Sequence, residues 1–499
     1  MKHLLTLAAC ACALTCLAER SALDLTSNPR AQSYAIVVES TTKADPAWAK
    51  VIEALQAKHP GAIVVEWTGN VETAQAVLSK AMPRYIAFVS QPEKTTRTFV
   101  CEVHRLTRRL DGDAYIDAQW GIITGATAEL AMATLAGPKK LTVQNALNTT
   151  GINDSILARS LTISDGAKGT WREKQADGKT VEYTKLDRPA ASIWADFFNE
   201  VKPDLMVTSS HGFQHGFETP FGSGFLLAHK GTLIPLDKPN GKPIGEALPE
   251  SPNPKVYFPV GNCLVGHCDG PKSLVCVMMG KLGVRQMAGY TVVTWFGRGG
   301  WDMLGTWQSL PGRNNFSESF FINQVRLVED LNKLCPDAGK FSPQFPNDGN
   351  PEPEMLLTQL SRANVWKSAK ITNPRSKEGQ EAVKQILGLT WDRDTVAFYG
   401  DPAFDARFAA AKNPEVTTEL QRTGTRTHRL TVHFANAAAA AKGAPDVAVL
   451  FTQRIANGQL TKPTTTNTVL ADDFILVRSP KCTDGNKDLV IDFEGDVLP

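Results

Sequence analysis

Apolar and polar positions alternate between two periods along the first third of the chain. Tyr34-Ala-Ile-Val-Val-Glu39 is a continuous apolar run, the pattern of a strand covered on both faces. From Pro46 to His59 the spacing becomes helical, with Trp48, Val51, Ile52 and Leu55 on one face. Residues 62–67 predict a second strand, 71–82 a second helix and 85–89 a third strand. This βαβαβ alternation predicts a parallel sheet with right-handed crossovers. Two more helices are expected at 98–110 and 126–136, with an acidic loop and a strand between them at 111–125. Residues 137–190 are mixed and polar, with a hairpin-like patch near 166–184. They read as the junction between two α/β subdomains. The spacing then predicts a helix over 189–201.

Two later runs stop abruptly at reactive side chains. They are Asp204-Leu-Met-Val-Thr-Ser-Ser-His211-Gly212 and Lys255-Val-Tyr-Phe-Pro-Val-Gly261-Asn262-Cys263. In open α/β sheets, ligands bind at the carboxyl ends of the strands. His211 and Cys263 are therefore expected at one sheet edge, adjacent in space. A thiolate is a nucleophile, and a nearby imidazole can take or deliver its proton. The N–H groups of Gly212 and Cys263 would form an oxyanion hole, each donor contributing on the order of 3 kcal/mol. Glu218 and Asp237 are candidates for a third residue that orients the imidazole. His215 lies one turn on from His211, but His211 ends the strand and is the preferred histidine. With His229, His267 and Cys268 it lacks the ligand spacing of a zinc site.

Downstream, residues 273–283 read as a helix and 287–295 as a strand. The glycine-rich loop Trp295-Phe-Gly-Arg-Gly-Gly-Trp-Asp302 allows close approach by a substrate. The Trp295 indole would form one wall of a pocket there, and Asp302 would pair with a basic group of the substrate; packing alone accounts equally for Trp295. Residues 311–350 look like an insertion with a helix at 317–334, and 351–389 hold two more helical stretches. Thr395 to Phe404 ends the sheet, with Asp401 read as a turn or cap residue. After Phe408 several short alternating runs, at 425–434, 446–451, 469–477 and 489–493, predict a small β-sandwich.

Composition narrows the function. Hydrophobic residues are 42% and charged residues 21% of 499, with a net charge of +2. That is ordinary globular composition with no field to attract nucleic acid or an anionic membrane. Residues 1–22 read as a signal peptide, with Lys2, an apolar run and small residues at Ala18 and Ala22. An exported protein follows: periplasmic, extracellular or cell-surface. A lipidated cysteine at Cys10 or Cys16 and a buried N-terminal helix are the other readings. No later segment reaches the roughly 20 apolar residues of a membrane span. Beyond residue 22 six cysteines remain, at 101, 263, 268, 276, 335 and 482. That is not a disulfide scaffold in a chain this long, although three bridges are countable. Asp111, Asp113 and Asp117 offer carboxylates that suit calcium, and equally make an ordinary turn. No cofactor is required.

A strand ending in His-Gly followed by one ending in Asn-Cys resembles the caspase-like cysteine peptidases, and among them the gingipain-type family of secreted bacterial peptidases. Residues 273–283, 287–295 and the Gly-Asp-Pro of Thr395-Val-Ala-Phe-Tyr-Gly-Asp-Pro-Ala-Phe404 fit the same order, over about residues 33–408. The family's Gly-Arg-Ile-Pro segment is altered here, with Ile122 in place of Arg. The resemblance implies a caspase-like three-layer α/β/α fold with a mostly parallel sheet in two subdomains, then an immunoglobulin-like β-sandwich. The domains expected are 1–22, 23–165, 166–410 and 411–499. It implies a cysteine endopeptidase acting on protein or peptide substrates, with Trp295 against the substrate. The rival readings are a catalytically silent cell-surface binding protein and a transpeptidase that uses the same two residues.

Overall fold

A computed structural model describes residues 33–461 and 467–498. The expected signal peptide lies outside the described residues. The chain divides into two compact units, one from Tyr34 to Ala410 and one C-terminal from Ala411.

In the first unit the strands are β1 Tyr34–Glu39, β2 Ile63–Trp67, β3 Tyr85–Val89, β4 Gln119–Ile123, β5 Lys140–Val143, β6 Asn145–Asn148, β7 Arg159–Ile163, β8 Trp171–Lys174, β9 Thr180–Tyr183, β10 Leu205–Ser209, β11 Gly212–Phe213, β12 Gly216–Glu218, β13 Phe225–His229, β14 Thr232–Leu236, β15 Lys255–Gly261, β16 Val284–Tyr290, β17 Val396–Gly400 and β18 Asp405–Phe408. Among the described residues, twelve of them form one sheet in the order β2-β1-β3-β4-β17-β16-β15-β10-β6-β7-β8-β9. The pairings are mostly parallel. The exceptions are β16 with β17 and the β7-β8-β9 edge. Because β16 and β17 run antiparallel, the two halves of the sheet point in opposite directions.

Helices cover both faces, as parallel strands require. On one face Ile36, Val38, Ala87 and Ile123 pack against the helices Pro46–Lys58 and Ala128–Leu135. Trp48, Val51, Ile52 and Leu55 are the buried stripe of the first. On the other face Phe88 and Trp120 meet Phe99, His104 and Phe320 edge-on, from the helices Arg97–Thr107 and Phe316–Leu334. Fully burying one such aromatic side chain contributes roughly 2–3 kcal/mol.

Three stretches differ from the expected elements. The polar region 137–190 is more than a connection: β6 and β7 lie inside it and pair beside β10. The stretch between His211 and Cys263 folds into its own antiparallel sheet, β11-β12-β13-β14. The strand expected at 287–295 is instead β16, starting at Val284 and ending at Tyr290. Its early polar residue Gln286 is fully buried because its amide donates to the carbonyls of Asp401 and Phe404.

Among its described residues the C-terminal unit holds two small antiparallel sheets. One is β19-β20-β25-β22, from Val416–Arg422, Thr427–Phe434, Asp488–Val497 and Ile455–Leu460. The other is β21-β24-β23, from Val447–Leu450, Phe474–Arg478 and Asn467–Leu470. The run 469–477 is thus a hairpin rather than one strand. Phe451, just past β21, stacks at 5.8 Å on Phe493 of β25.

Candidate active site

β10 and β15 are paired neighbours, and the segments that follow them carry His211 and Cys263. Val207 pairs with Phe258, and Ser209 with Gly261, so β15 gains one residue at Pro259–Val260. Proline cannot donate to the ladder, and a local slip is its usual consequence. His211 and Cys263 each lie two residues past the last pair of this ladder, Ser209 with Gly261.

Side chains lock the two strand ends together. Asn262 is fully buried, and its Nδ2 donates to the carbonyls of Ser210 at 3.0 Å and His211 at 3.3 Å. Its Oδ1 accepts from the Thr208 hydroxyl at 2.6 Å, which also meets the Tyr257 hydroxyl at 3.0 Å. Both reactive residues sit next to unusual backbone. Ser210 has φ 146° and Leu264 has φ 61°, values a side chain with Cβ seldom adopts. Gly212 is forced: a Cβ there would lie 2.9 Å from Val265, 3.0 Å from the Asn262 Cβ and 3.1 Å from the Cys263 carbonyl oxygen. The Glu218 N–H donates to the His211 carbonyl at 2.8 Å. At that position of the hairpin the Gly212 N–H points away from β12.

His211 is exposed and Cys263 partly exposed. Cys263 is a free thiol. The Thr294 N–H donates to its Sγ at 3.3 Å, and the Thr294 hydroxyl lies 3.6 Å from it. Of the two suggested orienting carboxylates, Glu218 bonds His211 only through the main chain, and Asp237 Oδ1 accepts from the Lys242 N–H in its own turn. His215 is engaged elsewhere, with Nε2 3.0 Å from Asp269 and Nδ1 3.2 Å from the Lys272 carbonyl. Burial, aided by Arg97 and His215, lowers the His267 pKa to about 4.

The loop after β16 carries Trp295, 67% exposed, and Trp301, 45% exposed. A cavity of about 440 Å³ opens at the same edge, lined in part by Ser209, Trp301, Asp302 and Arg326. Asp302 faces Arg326 at 3.4 Å. The residue that shapes this loop was not evident in the sequence. It is Asp392, buried in the helix Lys377–Thr395. One of its oxygens accepts from the N–H groups of Arg298 (2.6 Å), Gly299 (2.7 Å) and Gly300 (2.9 Å), and the other from the Tyr290 hydroxyl at 2.8 Å. Burial pushes the Asp392 pKa up, opposed by these donors. Its neighbour Trp391 donates to the Val293 carbonyl at 3.0 Å. A Cβ on Gly300 would collide with the Tyr290 hydroxyl. The run Gly-Arg-Gly-Gly is the only outward sign of this close approach.

Away from this edge, Asp111, Asp113 and Asp117 bring carboxylate oxygens within 4.8 Å of one another. Oxygen donors in such a cluster are the type calcium takes.

No family model and no curated protein matches this chain. Two solved structures do. One, described as the structure of a protease, has a TM-score of 0.38 and 10% identity, over 94% of this chain and 98% of that one. The other is a complex of the pro- and mature domains of RgpB from Porphyromonas gingivalis, with a TM-score of 0.34 and 9% identity, over 92% of this chain and 99% of that one. What the chain does rests on its own residues.

Proposed function

We propose that this chain is an exported cysteine endopeptidase of gingipain type, built on a caspase-like α/β/α core with Cys263 and His211 as its dyad. The observation that supports it best is the Asn262 amide, next to Cys263, which donates to the carbonyls of Ser210 and His211 and ties the two segments together. In this reading Cys263 Sγ attacks the scissile carbonyl carbon, and the N–H groups of Gly212 and Cys263 receive the oxyanion. His211 passes a proton to the departing amine, leaving a thioester that water then hydrolyses. Trp295 walls the pocket for the residue before the cut. Asp302 serves a basic side chain there, which requires it to leave Arg326. Residues 411–499 are an immunoglobulin-like module, residues 1–22 are a signal peptide, and Asp111, Asp113 and Asp117 hold a structural calcium.

The test is a library of fluorogenic peptides cleaved by the purified chain and by Cys263→Ala. The reading expects a loss of at least about 10³-fold. Cleavage by the variant at the wild-type rate ends it. A wild-type chain that neither cleaves nor reacts at Cys263 with a peptide electrophile is the silent binding protein. Transfer of the acyl group to an added amine in preference to water marks a transpeptidase.

A further inference from the structure

Two buried thiols face each other beneath the loop that follows Cys263. Cys268 and Cys276 are 2% and 1% exposed, and their sulfurs lie 3.9 Å apart. The Ser273 hydroxyl is 3.4 Å from the Cys268 sulfur and also accepts from the Cys276 N–H at 3.4 Å. Cys276 is the third residue of the helix Leu274–Met279. The Cys268 sulfur also lies 3.5 Å from the Pro92 carbonyl, while Cys101 and Cys335 lie against the carbonyls of Asp394 at 3.1 Å and Val365 at 3.3 Å. Cys263 is held by Thr294 and takes no part in the pair.

We infer that Cys268 and Cys276 are a disulfide-forming pair, oxidised by low-molecular-weight disulfides, that ties the loop after Cys263 to the helix Leu274–Met279. The bond needs each sulfur to move by only about 1 Å, from contact to the roughly 2.05 Å of a disulfide. The chemistry is thiol–disulfide exchange. The Cys268 thiolate attacks one sulfur of the small disulfide, forming a mixed disulfide and releasing one thiolate. Cys276 loses its proton to solvent and attacks the Cys268 sulfur, releasing the second thiolate. Two protein thiols become one S–S bond, and two electrons reduce the small disulfide to two thiols. The direction of attack follows from the pair's own contact. The hydrogen bond from Cys276 lowers the Cys268 pKa and raises that of Cys276. The brace also reaches the hairpin after His211, because Asp269, next to Cys268, pairs with His215. None of this depends on peptidase activity.

The experiment uses the full chain, prepared reduced and incubated with oxidised glutathione in urea below the unfolding transition. Thiols are then alkylated under denaturing conditions and the digest is read by mass. The expected product is a Cys268–Cys276 linked peptide with Cys101 and Cys335 alkylated and Cys263 outside the bond, alkylated or carrying glutathione, and slower hydrogen exchange over 264–273 in the oxidised protein. In Cys276→Ser, Cys268 is expected to stop as the mixed disulfide with glutathione. Recovery of both Cys268 and Cys276 alkylated, or a bond from either to Cys263, overturns the inference. Unchanged exchange over 264–273 overturns the bracing role.

Discussion

Asn262 Nδ2 donates to the Ser210 carbonyl at 3.0 Å, joining the segments that follow β15 and β10 and lead to Cys263 and His211. Ser210 has a backbone conformation that L residues avoid, so something must hold it. The Asn262 amide does this from a fully buried position, with its other end fixed by Thr208. Replacing Asn262 with Ala leaves buried partners unpaired, at a cost of about 1–3 kcal/mol. It also frees the segment before His211. If this edge is catalytic, kcat/KM falls by about 10²-fold, the scale of a 1 Å misplacement. Urea melts and peptide kinetics on N262A check both parts, and full activity in a destabilised variant sinks the positioning argument.

The glycine-rich loop depends on Asp392. Asp392→Asn keeps the shape but leaves one uncharged acceptor oxygen where three N–H groups and a hydroxyl now donate to a carboxylate. The expected result is a rise in KM greater than the fall in kcat, with faster proteolytic nicking between 295 and 301. A variant with unchanged KM would show that the loop does not meet substrate.

Acid sensitivity has a named source in His104. Burial, ahead of all other causes, lowers its pKa from 6.5 to about 4. The unfolded chain therefore binds a proton below pH 6.5 that the folded chain refuses until about pH 4. The corresponding stability is present above pH 6.5 and is lost as pH falls toward 4, amounting to about 3 kcal/mol at most. His267 acts in the same direction. Urea melts at pH 7, 5.5 and 4.5 should show the decline, and His104→Gln should flatten it. An equal slope in the variant would exclude His104.

Asp401 is more than the turn or cap residue its sequence suggests. It does bond the Ala403 N–H, but its buried carboxylate also meets the Tyr34 hydroxyl, His59 and Lys58, each at 2.9 Å. Burial alone would raise its pKa; His59 and Lys58 pull it well below the usual carboxylate range. Asp401→Ala strands a part-buried cation and should destabilise by about 3–5 kcal/mol, read from denaturant midpoints. A loss under 1 kcal/mol would refute the hub.

The acidic loop of Asp111, Asp113 and Asp117 offers a calcium test. Calcium at 100 times its dissociation constant should stabilise the chain by about 2.7 kcal/mol. Chelator should reverse the shift and Asp113→Asn should remove it. Melting temperatures indifferent to calcium would leave the loop a turn.

By itself the chain determined which segments are strands and helices wherever one pattern ran unbroken. β1, β3, β10 and the helix Pro46–Lys58 are legible because apolar residues there repeat at the period of the structure they form. The two strand ends were legible for the same reason: β-branched runs halt at His211-Gly212 and at Asn262-Cys263. Tertiary structure alone decided the rest. Gln286 reads as polar yet sits inside β16, where its Nε2 donates to the Asp401 and Phe404 carbonyls from far along the chain. Asp392 looks like any helical aspartate, and its role exists only because a loop about 90 residues upstream folds its amides onto it. Periodicity encodes which face of an element is dry. Which distant polar groups meet there is set by packing, and no local pattern records it.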